Sequence, residues 1–257
     1  AAALKQVPSC EFFPAQAMQT NVVGSQNVIS SAIQNEVERV VSLSTDKAVY
    51  PVNALGNTKA LMERMIQSVA RSIPDGKTIL SVVRYGNILF TRGSVIPIFI
   101  KQIREMRPLT LTAPEMSRFW LPLSEAVELV NFALEHGEQG DIFIRKAASS
   151  TLGDVAQALK SIFKSKSEIR TIGMRHGEKM HETLASKEEL ARSEDMGNFL
   201  RLSMDTRGLN YEKYLTEGEK KLVQLQDYNS LNSKRMTVKE IEALLLAQPE
   251  IISTLNR

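Results

Sequence analysis

Short β-branched runs alternate with helical patterns along this chain, and this alternation restricts most strongly how it can fold. Arg39–Leu43 and residues 78–83 are apolar runs typical of buried strands, and the helical pattern of residues 57–72 lies between them. A strand, a helix and a second strand in this order predict an α/β protein with a parallel sheet. In such an open sheet, ligands bind in the crevice at the carboxyl ends of the strands.

The remaining patterns extend the alternation over most of the chain. Apolar residues at helical spacing predict further helices over residues 15–35, 95–106, 124–135, 151–163 and 238–247, and a charged helix over 181–195. β-branched and aromatic runs predict two more strands, over 141–146 and 169–172. Prolines become frequent from Arg107 onward, so we place a domain boundary after residue 106 and expect the two lobes to interleave.

Composition excludes several classes of protein. The chain has 257 residues, 43% of them hydrophobic, and a net charge of +3, which gives no strong field for nucleic acid. The single cysteine, Cys10, excludes an intrachain disulfide and suits a reducing, cytoplasmic location. No apolar run reaches the ~18 residues of a membrane span. His176 and His181 lack the spacing of a metal-binding motif, so no metal site is expected.

The polar stretch after the first of these strands is the leading candidate for chemistry. Ser44, Thr45, Asp46 and Lys47 follow the strand directly, and Lys59 lies in the first turns of the next helix. The hydroxyls can bind a substrate hydroxyl, and an adjacent carboxylate and ammonium suit the removal of a proton next to a carbonyl. Lys59 can hold a ribose hydroxyl or lower a neighbouring pKa. A polar turn before an ordinary helix explains the same residues about equally well.

Two later loops also follow predicted strands. The first is Arg84-Tyr85-Gly86-Asn87, with Arg92-Gly93-Ser94 shortly after it; its glycines allow close backbone approach and its arginines can meet phosphate. The second is Arg175-His176-Gly177-Glu178-Lys179, whose guanidinium and carboxylate can grip phosphates and a ribose. Taken alone, the first loop is explained about equally well as a plain loop at a strand end, and a run such as the second is more often a solvated charged turn.

Together and in this order, these runs resemble one family, the inverting nucleotide-sugar 4,6-dehydratase group of the extended short-chain dehydrogenases/reductases. These are the CapD-like polysaccharide biosynthesis proteins of bacterial capsules. The resemblance covers essentially the whole chain; each motif is weak singly, and together in register they are strong. The matching runs are residues 1–8, 20–24, 43–51, 84–87, 92–97, 118–119, 140–143, 175–179 and, in the tail, 227–230.

The resemblance implies a Rossmann-type NADP-binding domain over residues 1–106, a smaller C-terminal substrate lobe over 107–204 that binds the UDP of a nucleotide sugar, and an extension over 205–257. The implied cofactor is NADP, with NAD as the alternative, the implied substrate is UDP-N-acetylglucosamine, and a homo-oligomer is expected. In the implied reaction, hydride leaves C4, a proton leaves C5, water leaves C6 and hydride returns to C6. Reprotonation of C5 from the opposite face then inverts that carbon.

The same resemblance assigns roles residue by residue. Lys47 would remove the C5 proton, Asp46 would help the C6 hydroxyl to depart, and Thr45 and Ser44 would hold the sugar. The cofactor would be lined by Ala1, Ala2, Asn21, Ser44, Lys59 and Tyr85. The nucleotide would be bound by Asn87, Ser94, Arg118, Arg175 and Glu178.

Two departures from the family pattern affect these expectations. The family begins roughly 80 residues upstream with a Gly-rich phosphate loop and further strand–helix units (a figure based on ~30-residue units), so we expect an N-terminally truncated chain that is inactive alone. In addition, the superfamily's Tyr-x-x-x-Lys motif has Leu55 in place of tyrosine, four residues before Lys59. Leucine cannot accept a proton from the C4 hydroxyl, so Lys47, Thr45 or Tyr50 would have to substitute for it.

Three functions therefore remain open. A 4,6-dehydratase is favoured because simple epimerisation needs no C5 base such as Lys47, whereas elimination does. A UDP-sugar 4-epimerase acting on UDP-glucose or UDP-N-acetylglucosamine shares the fold, the cofactor and the oxidation at C4. A truncated, non-catalytic UDP-sugar-binding protein would explain both Leu55 and the missing Gly-rich loop.

Overall fold

The computed structural model describes residues 3–73, 77–204 and 225–255, in which strands and helices alternate as the sequence predicts. The strands are β1 (Arg39–Leu43), β2 (Ile79–Arg84), β3 (Asn87–Ile88), β4 (Leu109–Leu111), β5 (Ser117–Leu121), β6 (Ile142–Arg145), β7 (Ser149–Thr151), β8 (Ile169–Thr171), β9 (Thr183–Ala185), β10 (Ser193–Met196), β11 (Phe199–Leu202) and β12 (Tyr228–Asn229). The α-helices are α1 (Val7–Phe12), α2 (Pro14–Met18), α3 (Gly24–Gln34), α4 (Ala54–Ser72), α5 (Val95–Arg104), α6 (Leu123–His136), α7 (Leu152–Ile162), α8 (Lys187–Leu190), α9 (Val238–Leu246) and α10 (Pro249–Leu255). A π-helical turn (Gln19–Val23) joins α2 to α3, and a 3₁₀ turn (Asp46–Ala48) follows β1.

The main sheet has five strands in the order β1-β2-β6-β11-β10. β1, β2 and β6 are parallel, whereas β11 and β10 run antiparallel to their neighbours. Val82 and Val83 in the interior strand β2 are fully buried. Their neighbouring apolar side chains are typical of a parallel strand that is covered on both faces. The predicted α/β class with a parallel sheet is confirmed.

Contacts divide the chain into two compact units. The first unit comprises residues 1–85, 127–146 and 183–228, and the second comprises 86–126, 147–182 and 229–257. The chain passes five times from one unit to the other, which produces this interleaved arrangement. The contacts assign residues 86–106 to the second unit, ahead of the division placed at 106, because β3 pairs with β5 and α5 packs into that unit's core.

The second unit is built around one apolar cluster and two small sheets. Phe99 on α5 and Leu159 on α7 are fully buried there, together with Ile251 on α10. β3, β5 and β7 form one sheet, and β4 and β8 form the other. The last helices, which the sequence analysis grouped in a C-terminal extension over residues 205–257, therefore pack into this core.

The segment predicted as one charged helix over residues 181–195 is instead β9, α8 and β10, so this prediction was wrong. Leu184 and Ala185 are fully buried in β9, which places apolar side chains where a surface helix would have polar ones. Ser186 then starts a new four-residue helix, and Glu189 completes its capping box. A local cap therefore interrupts the helical pattern.

Candidate functional site

The turn after β1, residues 44–48, carries four of the predicted site residues in the first unit. The backbone N–H of Ser44 donates to the Val83 carbonyl at 2.7 Å, and that of Asp46 donates to the Tyr85 carbonyl at 3.1 Å. The turn thus continues the β1–β2 ladder beyond the strand end. Its position at the carboxyl end of a parallel strand is where this fold class binds ligands.

Asp46 is the centre of the 44–48 turn. Its carboxylate is fully buried, and Oδ1 accepts hydrogen bonds from the Thr45 hydroxyl at 2.9 Å and from the Lys47 ammonium at 3.0 Å. The Lys47 side chain keeps 21% exposure, so one end of the pair is open to solvent. The predicted acid and base therefore form one hydrogen-bonded group with a hydroxyl beside it.

The first turn of α4 packs directly against the 44–48 turn. Asn53 caps this helix by accepting from the Gly56 backbone N–H at 2.8 Å. A Cβ on Gly56 would lie 2.3 Å from the Lys47 carbonyl oxygen, so only glycine permits this approach. The helix start and the predicted catalytic turn are consequently fixed against each other.

Lys59 lies one turn further along α4 and is 9% exposed. Its ammonium donates to the Leu43 carbonyl at 2.9 Å, the last residue of β1. Burial lowers the pKa of Lys59; Glu63 and the Cys10 thiol oppose that shift without cancelling it. The structure thus brings Lys59 to the same strand end as Ser44, Thr45, Asp46 and Lys47.

The other predicted cofactor residues differ in how they are engaged. The Asn21 amide, in the π-helical turn, exchanges two hydrogen bonds with the Leu4 backbone, both 2.9 Å, and donates to Thr58 Oγ1 at 3.1 Å. Its side chain therefore holds the chain near residue 4. Tyr85 follows β2, and burial raises the pKa of its phenol. Ala1 and Ala2 lie outside the described residues.

Leu55 stands where the Tyr-x-x-x-Lys motif has its tyrosine, and Tyr50 is one of the candidates to replace it. Leu55 is 5% exposed and packs with Cys10 and Ala17, so this position is part of an apolar cluster. The Tyr50 hydroxyl instead lies 3.2 Å from Asp227 Oδ1 and 3.4 Å from Glu188 Oε2. Burial and these carboxylates raise the pKa of Tyr50 to about 12, which keeps the phenol protonated at neutral pH and unsuited to act as a base.

Arg84 is the largest departure from what its motif suggested. We expected the arginines of this loop to be able to meet phosphate, yet Arg84 is 1% exposed and forms ion pairs with Glu63 and Glu189. Glu63 also accepts a hydrogen bond from the Ser44 hydroxyl, so only the lone pairs of that hydroxyl remain for a ligand. One sequence signal could have placed Glu63 near the site, because it lies four residues after Lys59 and therefore on the same face of the helix; its partner Arg84 gives no such signal.

In the second unit, Asn87 and Ser94 carry polar atoms that have no hydrogen-bond partner among the described residues. Asn87 lies in β3 beside Trp120, and its Oδ1 is buried and unsatisfied. Ser94 is the N-cap residue of the ten-residue helix α5, yet its hydroxyl caps no backbone N–H and is likewise buried and unsatisfied. Buried polar groups normally have partners, so both side chains fit a ligand-binding role.

Arg118 is linked to the end of the 175–179 loop by hydrogen bonds to backbone carbonyls. The Arg118 guanidinium is 8% exposed and donates to the backbone carbonyls of Ser117, Lys179 and Met180. Arg118 therefore holds the segment that follows Arg175 and Glu178 beside β5. Arg175 itself is exposed, and its backbone N–H contacts Glu178 Oε2 at 3.4 Å.

A serine–histidine cluster next to Arg118 was not foreseen. Ser117 Oγ lies 2.7 Å from His181 Nδ1 and 2.7 Å from Ser230 Oγ. Burial, with the positive charges of Arg118 and Arg235, lowers the pKa of His181. Ser117 is 1% exposed, so the cluster holds three chain segments together within the second unit. The 227–230 run of the tail thus has a structural role at Ser230.

Two negative findings apply to the described ranges, residues 3–73, 77–204 and 225–255. None of their helices combines the length and apolar character needed to cross a membrane. None of their histidine, cysteine, aspartate or glutamate side chains gather in a group of three or more that could hold a metal ion.

The parallel sheet, with polar groups at its strand ends, has the Rossmann-type α/β fold that is also found in solved nucleotide-sugar epimerases and dehydratases. Residues 1–204 match the model of the polysaccharide biosynthesis protein family, and residues 205–251 match that of the polysaccharide biosynthesis protein C-terminal family. The chain belongs to the polysaccharide biosynthesis protein family.

Two individual proteins are similar to this chain over almost its whole length. A UDP-glucose 4-epimerase of Rickettsia felis is 55% identical over 246 residues, which cover 96% of this chain and 72% of the relative. The X-ray structure of Pen from Bacillus thuringiensis aligns with a TM-score of 0.85 and 32% identity, over 96% of this chain and 74% of Pen.

Two more distant structures support the fold alone. A dTDP-glucose 4,6-dehydratase from Streptomyces venezuelae, solved with NAD, has a TM-score of 0.64 at 20% identity, covering 70% of this chain and 61% of its own. A UDP-glucose 4-epimerase from Thermotoga maritima, solved with UDP-glucose, has a TM-score of 0.62 at 21% identity, covering 69% and 64%.

Proposed function

We propose that the full-length protein binds a UDP-hexose and a nicotinamide dinucleotide and acts as a UDP-sugar 4-epimerase. The observation that carries the proposal is the 44–48 turn, where the buried Asp46 carboxylate accepts from the Thr45 hydroxyl and the Lys47 ammonium at a parallel strand end. The name of the 55% identical Rickettsia relative supports both the substrate class and 4-epimerisation. On this point the relatives favour the epimerase over the dehydratase that the sequence motifs favoured.

The proposed cofactor is NADP, with NAD as the alternative, and the NAD-bound Streptomyces structure supports the alternative. A bound nicotinamide dinucleotide supplies a hydride acceptor for C4 and returns the hydride later. The donor set at Lys59 fits such a group, because an ammonium has three N–H donors, of which one is used by the Leu43 carbonyl at 2.9 Å and another lies against Met62 Sδ at 3.7 Å. The remaining donor is proposed to hold a ribose hydroxyl.

Thr45 and Asp46 are proposed to replace the missing tyrosine. Oxidation at C4 requires a group that accepts the C4 hydroxyl proton, and Leu55 has none. Thr45 can accept this proton while its own proton moves to Asp46 along their 2.9 Å hydrogen bond. The Lys47 ammonium, 3.0 Å from the same carboxylate oxygen, stabilises the charge that Asp46 carries before the transfer and after the proton returns.

The second unit is proposed to bind the UDP moiety. The N-terminus of α5 carries the positive end of the helix dipole, which favours a diphosphate, and the backbone N–H groups of Val95 and Ile96 have no acceptor within the helix. The unsatisfied Ser94 hydroxyl lies at that end, and the unsatisfied Asn87 oxygen can accept from a ribose or base N–H or O–H. Arg175 and Glu178 are proposed to contribute from the exposed loop.

A second candidate, the inverting 4,6-dehydratase acting on UDP-N-acetylglucosamine, is supported by one specific observation. Elimination of water across C5 and C6 needs a base for the C5 proton and an acid for the departing C6 hydroxyl. Lys47 and Asp46 form such a pair, with Nζ and Oδ1 3.0 Å apart. Simple 4-epimerisation uses neither role, so the reaction products separate the two candidates.

One experiment tests both candidates. The full-length protein is incubated in heavy water with UDP-glucose or UDP-N-acetylglucosamine, with NAD or NADP, and the products are followed by proton NMR. A 4-epimerase yields the C4 epimer without deuterium at C5, whereas the dehydratase yields a 4-keto-6-deoxy sugar labelled at C5. If the protein binds the UDP-sugar and forms neither product, it is a non-catalytic UDP-sugar-binding protein and the catalytic proposal is wrong.

Two further properties remain part of the proposal. A cytoplasmic location is proposed, because the single cysteine suits a reducing compartment. A homo-oligomer is proposed as well, and sedimentation equilibrium of the full-length protein measures its state.

A further inference from the structure

A buried ion-pair network, formed by Arg84, Glu63 and Glu189, adjoins the 44–48 turn. Arg84 at the end of β2 contacts Glu63 through Nε at 3.1 Å and Nη2 at 2.6 Å, and Glu189 through Nη1 at 2.9 Å and Nη2 at 3.0 Å. Its Nη1 also donates to the Leu184 carbonyl at 2.8 Å. All five donors of the guanidinium are therefore engaged or adjacent to an acceptor, in the bidentate geometry that arginine forms with carboxylates.

The network reaches the predicted catalytic residues by two routes. Glu63 accepts a hydrogen bond from the Ser44 hydroxyl, and Ser44 is followed directly by Thr45 and Asp46. Arg84 is followed directly by Tyr85, whose carbonyl accepts from the Asp46 backbone N–H at 3.1 Å. Movement of either end of the network therefore shifts the backbone that presents Asp46.

Charge balance ties Lys59 to the same network. Arg84 and Lys59 contribute two positive charges, and Glu63 and Glu189 contribute two negative ones, within a region where Arg84 is 1% and Glu63 4% exposed. Burial lowers the pKa of Lys59, and Glu63 is the largest influence that opposes this; the Cys10 thiol on α1 is the other titratable group that does so. Glu63 thus serves as counter-charge to two cations.

Stability alone is a weak reason for such an arrangement. Desolvation of buried charges offsets most of their attraction, and replacement of a buried ion pair by apolar residues is often neutral or stabilising. What the network provides is a fixed geometry between β1, β2, α4 and the cap of α8. A site that depends on sub-ångström placement benefits from that constraint.

We propose that the Arg84–Glu63–Glu189 network positions the 44–48 turn and Lys59 for reaction, with Glu63 as the principal positioning residue. This inference rests on the proposed function, since it assigns Glu63 a task in the same site. Glu63 contacts no reacting atom; it acts through Ser44 and Lys59.

The test compares Glu63→Gln with Asp141→Asn. Asp141 is a matched control because its carboxylate is 2% exposed and paired with Arg201 at 2.7 Å in the same sheet, at the amino end of β6, away from the 44–48 turn. Both substitutions remove one buried negative charge and keep the shape of the side chain. The variants are made in the full-length protein and compared in thermal unfolding, in kcat and KM with UDP-glucose, and in the titration of Lys59 followed by NMR of labelled lysine.

We expect Glu63→Gln to lower kcat about 10²-fold with KM changed less than about threefold, because the turn is misplaced while the nucleotide contacts remain. Loss of the counter-charge should also make Lys59 titrate at lower pH than in the wild type. Asp141→Asn should destabilise the fold and leave kcat and the Lys59 titration unchanged. Glu63→Asp, which keeps the charge, should restore the Lys59 titration and recover part of kcat.

The inference is overturned if Glu63→Gln loses stability as Asp141→Asn does while its kcat and Lys59 titration stay at wild-type values. If Glu63→Gln does not fold, a Glu63→Asp variant with wild-type kcat overturns it as well. A wild-type protein without activity on UDP-sugars would refute the proposed function. The Lys59 titration would then still decide whether Glu63 acts on that ammonium.

Discussion

At the scale of single residues, the chemistry depends on whether a threonine can take the place of a tyrosine. Thr45→Val removes the hydroxyl that donates to Asp46 at 2.9 Å and keeps the shape of the side chain. We expect kcat to fall about 10²–10⁴-fold, the usual contribution of a positioned general base. Thr45→Ser is the matched control and should keep most of the activity. Steady-state kinetics on UDP-glucose measures both, and equal rates for Thr45→Val and wild type would exclude the Thr45–Asp46 pathway.

Leu55 provides the complementary test. Its side chain is buried with Cys10 and Ala17, so a tyrosine there must push into an apolar cluster. We expect Leu55→Tyr to cost about 1–3 kcal/mol of stability through overpacking and to leave kcat near or below wild type. Leu55→Met, which conserves volume, should cost less than about 1.5 kcal/mol. Denaturant unfolding gives the stabilities. A Leu55→Tyr variant that gains activity from an inactive wild type would show that the natural chain lacks a substitute base.

Tyr50 was a sequence candidate for that base, and its surroundings argue against the role. Its phenol contacts Glu188 and Asp227, and its pKa is raised to about 12, so it stays protonated until well above neutral pH. We expect Tyr50→Phe to keep kcat within about threefold of wild type and to leave the pH–rate profile unchanged between pH 6 and 9, since no phenolate is consumed there. If the pH–rate profile of Tyr50→Phe lost one of its limbs, Tyr50 would again be a candidate for the base.

Local sequence signals predicted where the polar residues lie better than they predicted which residues those side chains contact. The spacing of Ser44, Thr45, Asp46 and Lys47 after a β-branched run was enough to place them at a strand end. That Arg84 binds two carboxylates could not be read from sequence, because Glu63 and Glu189 lie 21 and 105 residues away. Long-range ion pairs leave no periodic pattern, whereas strands and amphipathic helices do.

At the scale of elements, the close approach of α4 to the 44–48 turn is the most specific constraint. A Cβ on Gly56 would lie 2.3 Å from the Lys47 carbonyl oxygen and 3.0 Å from Pro51 Cβ, so Gly56→Ala must move backbone. We expect a loss of about 1–3 kcal/mol of stability and a kcat at least about tenfold lower. Gly24→Ala is the control, because its nearest contact is 3.5 Å and alanine is the better helix former by up to about 1 kcal/mol. Comparable unfolding curves and rates for the two variants would contradict this packing.

The prediction of helices and strands succeeded where a single hydrophobic pattern was long, and it failed where several short elements follow one another. The helices α4, α5, α6 and α7 lie within a few residues of their predicted bounds, since each has an extended apolar face. The 181–195 segment contains two short strands around the four-residue helix α8, and its charges suggested one helix. The burial of β9 depends on tertiary packing and could not be read from the sequence, whereas the Ser186–Glu189 capping box is a local signal that the sequence analysis missed.

At the scale of the whole molecule, residues 229–255 complete the core of the second unit. Ile241 and Leu245 on α9 are each 1% exposed, and Ile251 on α10 is fully buried. β7 joins this region too, since the Ser149 backbone N–H donates to the Lys234 carbonyl at 2.9 Å. The part matched to the C-terminal family is therefore, over the described residues from 229 onward, a structural part of that unit.

Neighbouring leucines on α9 test this assignment. Leu245 is 1% exposed and Leu246 is 45% exposed, so the two positions share a helix and differ in burial. We expect Leu245→Ala to cost about 2–5 kcal/mol through a buried cavity and Leu246→Ala to stay within about 0.5 kcal/mol of wild type. Trp120, the single tryptophan of the chain, is buried in the same cluster, so its fluorescence during urea unfolding reports this unit directly. Equal and small losses for the two variants would mean that α9 does not seal this core in solution.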